Sequence, residues 1–169
     1  MIDGASSWLS RKKWILAAVG VPVLVAAWWA FRPEKLWINK QVSEPAPFAS
    51  SSDSQPLYTG LLMSNAHPTR GRASIYQLGG GKRDLRLTDF TTSNGPDVHV
   101  VLAQSIDQNL TKDFVKGELD SVELGLLRAN QGDQNYDLPS SVDLGKYDAV
   151  VIYCVRFHAV FGVAKLERF

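Results

Sequence analysis

AVVIYCVRF, residues Ala149–Phe157, is the stretch from which the fold can be read. Its β-branched and aromatic residues favour a strand. Strand alternation puts Val151, Tyr153, Val155 and Phe157 on one side and Val150, Ile152, Cys154 and Arg156 on the other. Both sides are apolar for most of the length, which predicts a central strand covered on both faces. Working outward, the same reading predicts strands at Ala159–Leu166, Val98–Ala103, Arg83–Thr88, Arg72–Leu78 and Leu57–Met63. Gly79-Gly80-Gly81 marks a hairpin turn, and Asn94-Gly95-Pro96-Asp97 a second turn. Asp107–Val122 reads as a loop with at most one helical turn, because Gly117 and scattered charges interrupt it. Short strands at this spacing predict a mainly β domain, a sandwich or barrel, over residues 57–169.

The N-terminal part has a different character. Trp14–Phe31, WILAAVGVPVLVAAWWAF, carries no charge; as a helix it would rise about 27 Å, close to the thickness of a bilayer core. Trp14 at one end and Trp28 and Trp29 at the other suit the two membrane interfaces, and Pro22 is tolerated in such a helix. The run is apolar all round and ends in Trp-Trp-Ala-Phe-Arg-Pro, a poor cleavage site, so it reads as a retained single-pass anchor. Arg11, Lys12 and Lys13 are uncompensated, whereas Arg32 and Lys35 flank Glu34. The positive-inside rule then puts residues 1–13 in the cytoplasm and the C-terminal domain outside it. Residues 32–56 read as a linker, with the Ser/Pro-rich SEPAPFASSSDSQP at Ser43–Pro56 as a flexible spacer.

Charge and motifs exclude several function classes. From Leu57 onward 12 Lys/Arg face 13 Asp/Glu with no basic run, which argues against nucleic acid as a partner. No phosphate loop, CxxC pair, CxxCH haem attachment, HExxH or nucleophile elbow is present. The single cysteine, Cys154, cannot form an internal disulfide. It has two readings: a small buried hydrophobe, or a redox-active thiol or ligand. Arg156, about 7 Å along the same strand face, would favour the thiolate. His158 is four residues on, about 13 Å along a strand, too far to share a metal with Cys154 unless the strand ends between them. His99 reads as a structural or surface side chain. His67, in the Asn65-Ala66-His67-Pro68 turn, is a candidate because loops carry function. Asp97 is expected to hydrogen-bond its own turn rather than join Asp89 in a cation site. Asn109-Leu110-Thr111 matches a glycosylation sequon.

Taken in order, AHPTRG at Ala66–Gly71, DF at Asp89–Phe90, NGPDVHVVL at Asn94–Leu102, LGLLRANQGDQNYDLP at Leu124–Pro139 and YDAVVIYCVRFHAVFGVAKL at Tyr147–Leu166 resemble the DM-thirteen domain family. That family is proposed to act in electron transfer and is often found beside DOMON domains. The resemblance implies a β-sandwich-like domain whose characteristic cysteine is Cys154, working as a bare thiol or as a ligand to a group such as haem. It also implies that His67 matches an early His-Gly motif, and that Tyr153 stands where Trp is common. Glycines 132 and 162 would allow close backbone approach. Three functions follow as expectations. The first is a membrane-anchored redox module centred on Cys154, with a redox partner protein and His67 beside any cofactor. The second is a surface protein- or ligand-binding module with Cys154 as packing. The third is an architectural part of a membrane complex. Without a resolving cysteine, a thiol acting alone would form a sulfenic acid or a mixed disulfide.

Overall fold

The computed structural model describes residues 17–29, 38–48, 55–104, 112, 114–115, 117 and 119–169. Residues 17–29 form a helix, α1, with exposed valines and an exposed Trp28 and Trp29. Among the described residues no helix is long and apolar enough to cross a membrane. The ends of the expected span, 14–16 and 30–31, lie outside the described residues, as do 1–13, residues 32–37 and 49–54 of the linker and the Asn109–Thr111 sequon. Ile38–Phe169 forms a compact unit separate from the residues before it.

That unit is mainly β, with two sheets and no closed barrel. One sheet has six strands, in the order β1 (Gln41–Ser43), β8 (Gln131–Leu138), β5 (Arg83–Thr91), β4 (Arg70–Gln77), β2 (Pro56–Leu61) and β11 (Glu167–Arg168). The other has five: β3 (Met63–Ser64), β10 (Ala159–Lys165), β9 (Ala149–Cys154), β6 (Val98–Ala103) and β7 (Ser121–Leu126). Neighbouring strands are antiparallel except for β1 and β8. Ile75, Leu85 and Leu87 of the first sheet share one buried cluster with Val100, Leu102, Val150 and Ile152 of the second, so the core lies between the sheets. Val101, Val151 and Val160 form a second cluster on the far face of the five-stranded sheet, with Phe114 packed on it. β9 is therefore covered on both faces, as its sequence predicts.

Several elements differ from expectation. β9 ends at Cys154, not Phe157, because the chain reverses into β10 through Val155–His158, with His158 at φ 49°. β7 and β8 occupy sequence read as loop or left unassigned. In β8 the inward residues include Gln134, fully buried, which breaks the apolar alternation. Its amide is satisfied locally: Nε2 donates to the Ala129 carbonyl at 2.8 Å, and Oε1 accepts from Tyr136 Oη at 2.9 Å.

The expected spacer also contains structure. β1 lies beside β8, and Gly132, at φ 95°, makes the approach possible: a Cβ there would stand 1.9 Å from the Val42 carbonyl oxygen. Behind β1, Arg86 is buried with its guanidinium donating to the Glu44 and Pro45 carbonyls, each at 3.2 Å, and to Asp133 Oδ2 at 2.6 Å. The Glu44 carboxylate accepts from the Asn135 amide and from Arg128. Residues 38–48 are thus strapped onto the six-stranded sheet.

Candidate functional site

Cys154 is the last residue of β9, paired with Val98 of β6 on one side and Ala159 of β10 on the other. It points into the core between the sheets and is 0% exposed. Among the described residues the thiol has no hydrogen-bond partner. The expected alignment with Arg156 is not found. The strand stops first, and Arg156, Phe157 and His158 are exposed in the turn. That turn is held by the Val155 amide donating to the Asp97 carbonyl at 2.9 Å and the His158 amide to the Val155 carbonyl at 3.3 Å.

His67 is half-buried, and its ring lies on that of Phe161, centroids 3.9 Å apart and tilted by 36°. Phe161 belongs to the same buried cluster as Cys154, so the two predicted residues adjoin one cluster through that ring. The His67 turn is pinned to β10 by the Asn65 amide on the Phe161 carbonyl and the Ala66 amide on the Val160 carbonyl. Gly95 is needed here for space rather than for backbone freedom: a Cβ would come within 3.0 Å of Phe161 Cζ.

A haem does not fit this arrangement. Small-molecule sites are clefts of several hundred Å³ open to the ligand, and Cys154 faces packed side chains. Two clefts, of about 420 and 370 Å³, lie on the six-stranded sheet and are lined by neither Cys154 nor His67. The larger is lined by β1, β8, Arg70 and Asp89. Asp89 sits at φ 49°, its amide donating to Asp133 Oδ1 at 3.0 Å. Among the described residues no group of His, Cys, Asp and Glu could hold a metal ion.

The titratable groups that do converge are on the outer face of the five-stranded sheet. Tyr153 Oη lies 3.0 Å from His158 Nδ1, and Phe114 meets the phenol ring edge-on at 4.9 Å. Burial raises the Tyr153 pKa, with a further push from Cys154, so the phenol is protonated at neutral pH. Across the sheet from Tyr153 is His99, with Nδ1 2.6 Å from Glu123 Oε1 and Nε2 3.0 Å from Asp97 Oδ1, so that the imidazolium can donate to both carboxylates. Burial works against the imidazolium, but its hydrogen bonds to both carboxylates and their negative charge outweigh it and raise the pKa. The Asp97 side chain thus serves His99 rather than its own turn. Sequence reasoning reached neither cluster. Glu123 is 24 residues from His99, and the Tyr153–His158 contact exists only because β9 ends early.

Among known proteins, the family model described as electron transfer DM13 matches residues 61–166, from the end of β2 through β10. β1 and the strapped segment lie outside the match. No curated protein and no solved structure matches the chain.

Proposed function

The chain belongs to the electron-transfer DM13 family, and from that premise we propose that it is a membrane-anchored, extracytoplasmic electron-transfer module whose redox centre is the end of β9 around Cys154. The anchor is the uncharged Trp14–Phe31 run, and its basic N-terminal flank supports a cytoplasmic N-terminus. The observation that carries the reading is the position of Cys154: wholly buried, yet immediately followed by an exposed turn. A sulfur so enclosed is poorly placed for bond-forming chemistry, since a mixed disulfide or sulfenic acid needs an accessible thiolate. Exchange of electrons across the turn with a partner protein needs no contact with the sulfur itself, provided that the thiol's proton leaves with the electron. The test is voltammetry of the full chain in detergent beside Cys154→Ser and Cys154→Ala. A reversible wave lost in both folded variants supports the reading, and a wave unchanged in both ends it.

One observation favours a second reading. Val155 and Phe157 are 40% and 65% exposed at the turn, while Cys154 packs like any core residue. A binding module with an inert cysteine would show no Cys154-dependent wave and would lose its partner on Phe157→Ser.

A further inference from the structure

We propose that Tyr153, with His158 as its proton acceptor, is the one-electron redox residue through which this domain exchanges electrons at its surface; this rests on the electron-transfer role proposed above and not on Cys154 as its centre. The argument begins with what each group can do with its proton. Cys154 and Tyr153 are consecutive, and strand alternation sends the thiol into the core and the phenol to the outer face. One-electron oxidation of a neutral thiol or phenol releases a proton, which needs a base at hand. The Cys154 thiol has no hydrogen-bond partner among the described residues, whereas Tyr153 Oη has the His158 imidazole at 3.0 Å. The contact is built by the fold: Val155–His158 reverses the chain, and the left-handed backbone of His158 turns its ring back over β9.

The other tyrosines lack this arrangement. Tyr136 is buried with its hydroxyl on the Gln134 amide oxygen, which is no base. Tyr147 bonds the Asp120 carboxylate, already engaged by Lys146 and with its pKa lowered. Tyr76 packs its ring on Phe48, and Tyr58 is half-buried in β2. Among the described tyrosines, Tyr153 alone has an imidazole on its hydroxyl.

The step balances as follows. An oxidised metal centre of high potential, on a partner protein or in a soluble complex, takes one electron from Tyr153. The phenolic O–H bond breaks, and the proton forms an N–H bond at His158 Nδ1. The products are a neutral phenoxyl radical, an imidazolium and a metal centre reduced by one electron. Return of an electron to Tyr153 and of the proton from His158 restores the pair.

The experiment is flash-quench oxidation of the full chain in detergent by a photogenerated ruthenium(III) polypyridyl complex, with tyrosyl and tryptophanyl radicals separated by their absorption and electron paramagnetic resonance. The proposal expects a tyrosyl radical that is lost in Tyr153→Phe and kept in Tyr76→Phe. It also expects formation to slow about tenfold in His158→Asn, the rate equivalent of a hydrogen bond of about 1.4 kcal/mol. Asn tolerates the left-handed backbone, so the turn is retained while the base is removed. His158→Gly should be slow as well and should recover on adding imidazole, which a merely structural role of His158 would not give. A radical undiminished in Tyr153→Phe, or a rate unchanged in both folded His158 variants, overturns the proposal. A Tyr153 radical in a chain with no Cys154-dependent wave leaves this inference standing and removes the cysteine-centred reading; the reverse pattern does the opposite.

Discussion

Cys154 should be protected from thiol reagents to a degree that its place in the sheet sets. The residue is 0% exposed and hydrogen-bonded strands flank it on both sides, so a reagent reaches the sulfur only if β9 parts from β6 or β10. As the last residue of β9 it opens more easily than the middle of the strand. Taking about 4 kcal/mol for that opening, just under a global stability of roughly 5–15 kcal/mol, the folded thiol should react about a thousandfold more slowly than a free one. The assay is the pseudo-first-order rate of labelling by an aromatic disulfide across a urea series below the unfolding transition. A rate that climbs with urea reports opening that exposes buried surface, and a flat rate reports local fraying of the turn. Either is compatible with the packing described. Labelling of the folded protein in plain buffer at the rate of a free thiol would refute the reasoning, since it requires a sulfur open to solvent. Cys154→Ser should also destabilise by about 1–3 kcal/mol, because its hydroxyl would find no partner in that cluster.

Other perturbations test the strap and the charged clusters. Gly132→Ala should lower the urea midpoint by the equivalent of at least about 1–2 kcal/mol, since alanine at φ 95° is strained and its Cβ would displace Val42; proteolysis within residues 38–48 should quicken, and an unchanged midpoint with an intact strap would contradict the close approach. The raised pKa of His99 makes its stabilisation complete below the unfolded value of about 6.5 and lost as pH rises through the folded one. His99→Gln should flatten the fall in stability over that window, as read from urea midpoints at successive pH values. Asp84, its pKa raised by burial and then by Asp137 directly across β8, is the opposite case. Stability falls as pH climbs from its unfolded to its folded pKa, so Asp84→Asn should stabilise at neutral pH by about 0.2–1 kcal/mol, and a loss of stability there would show that the carboxylate has a partner worth more than the repulsion.

The parts of the fold legible in the sequence are those where burial and alternation agree. Val98–Ala103 is found with the expected limits, and Arg83–Thr88 and Ala159–Leu166 are found with small shifts, because each sets β-branched or aliphatic residues against the core. β8 escaped because its core face carries Gln134, a polar residue made acceptable only by amides folding places beside it. β1 escaped for a different reason. Gln-Val-Ser has no strong preference of its own, and it becomes a strand because Gly132 leaves room and Arg86 supplies donors for the Glu44 and Pro45 carbonyls. Neither signal is local to the segment concerned.

The site follows the same division. That Cys154 faces inward and Tyr153 outward is a period-two statement readable from AVVIYCVRF alone. Where the strand stops is not, since Val155, Arg156 and Phe157 continue the strand-like pattern past the last paired residue. Had β9 run on to Phe157, Arg156 would lie on the thiol's face and His158 about 13 Å along the strand from Cys154. Ending at Cys154 instead, the chain exposes Arg156 and folds His158 back onto Tyr153. Three residues of strand length therefore decide whether the polar chemistry gathers around the sulfur or around the phenol. The structure puts it around the phenol, one peptide unit from a cysteine whose thiol has no hydrogen-bond partner among the described residues.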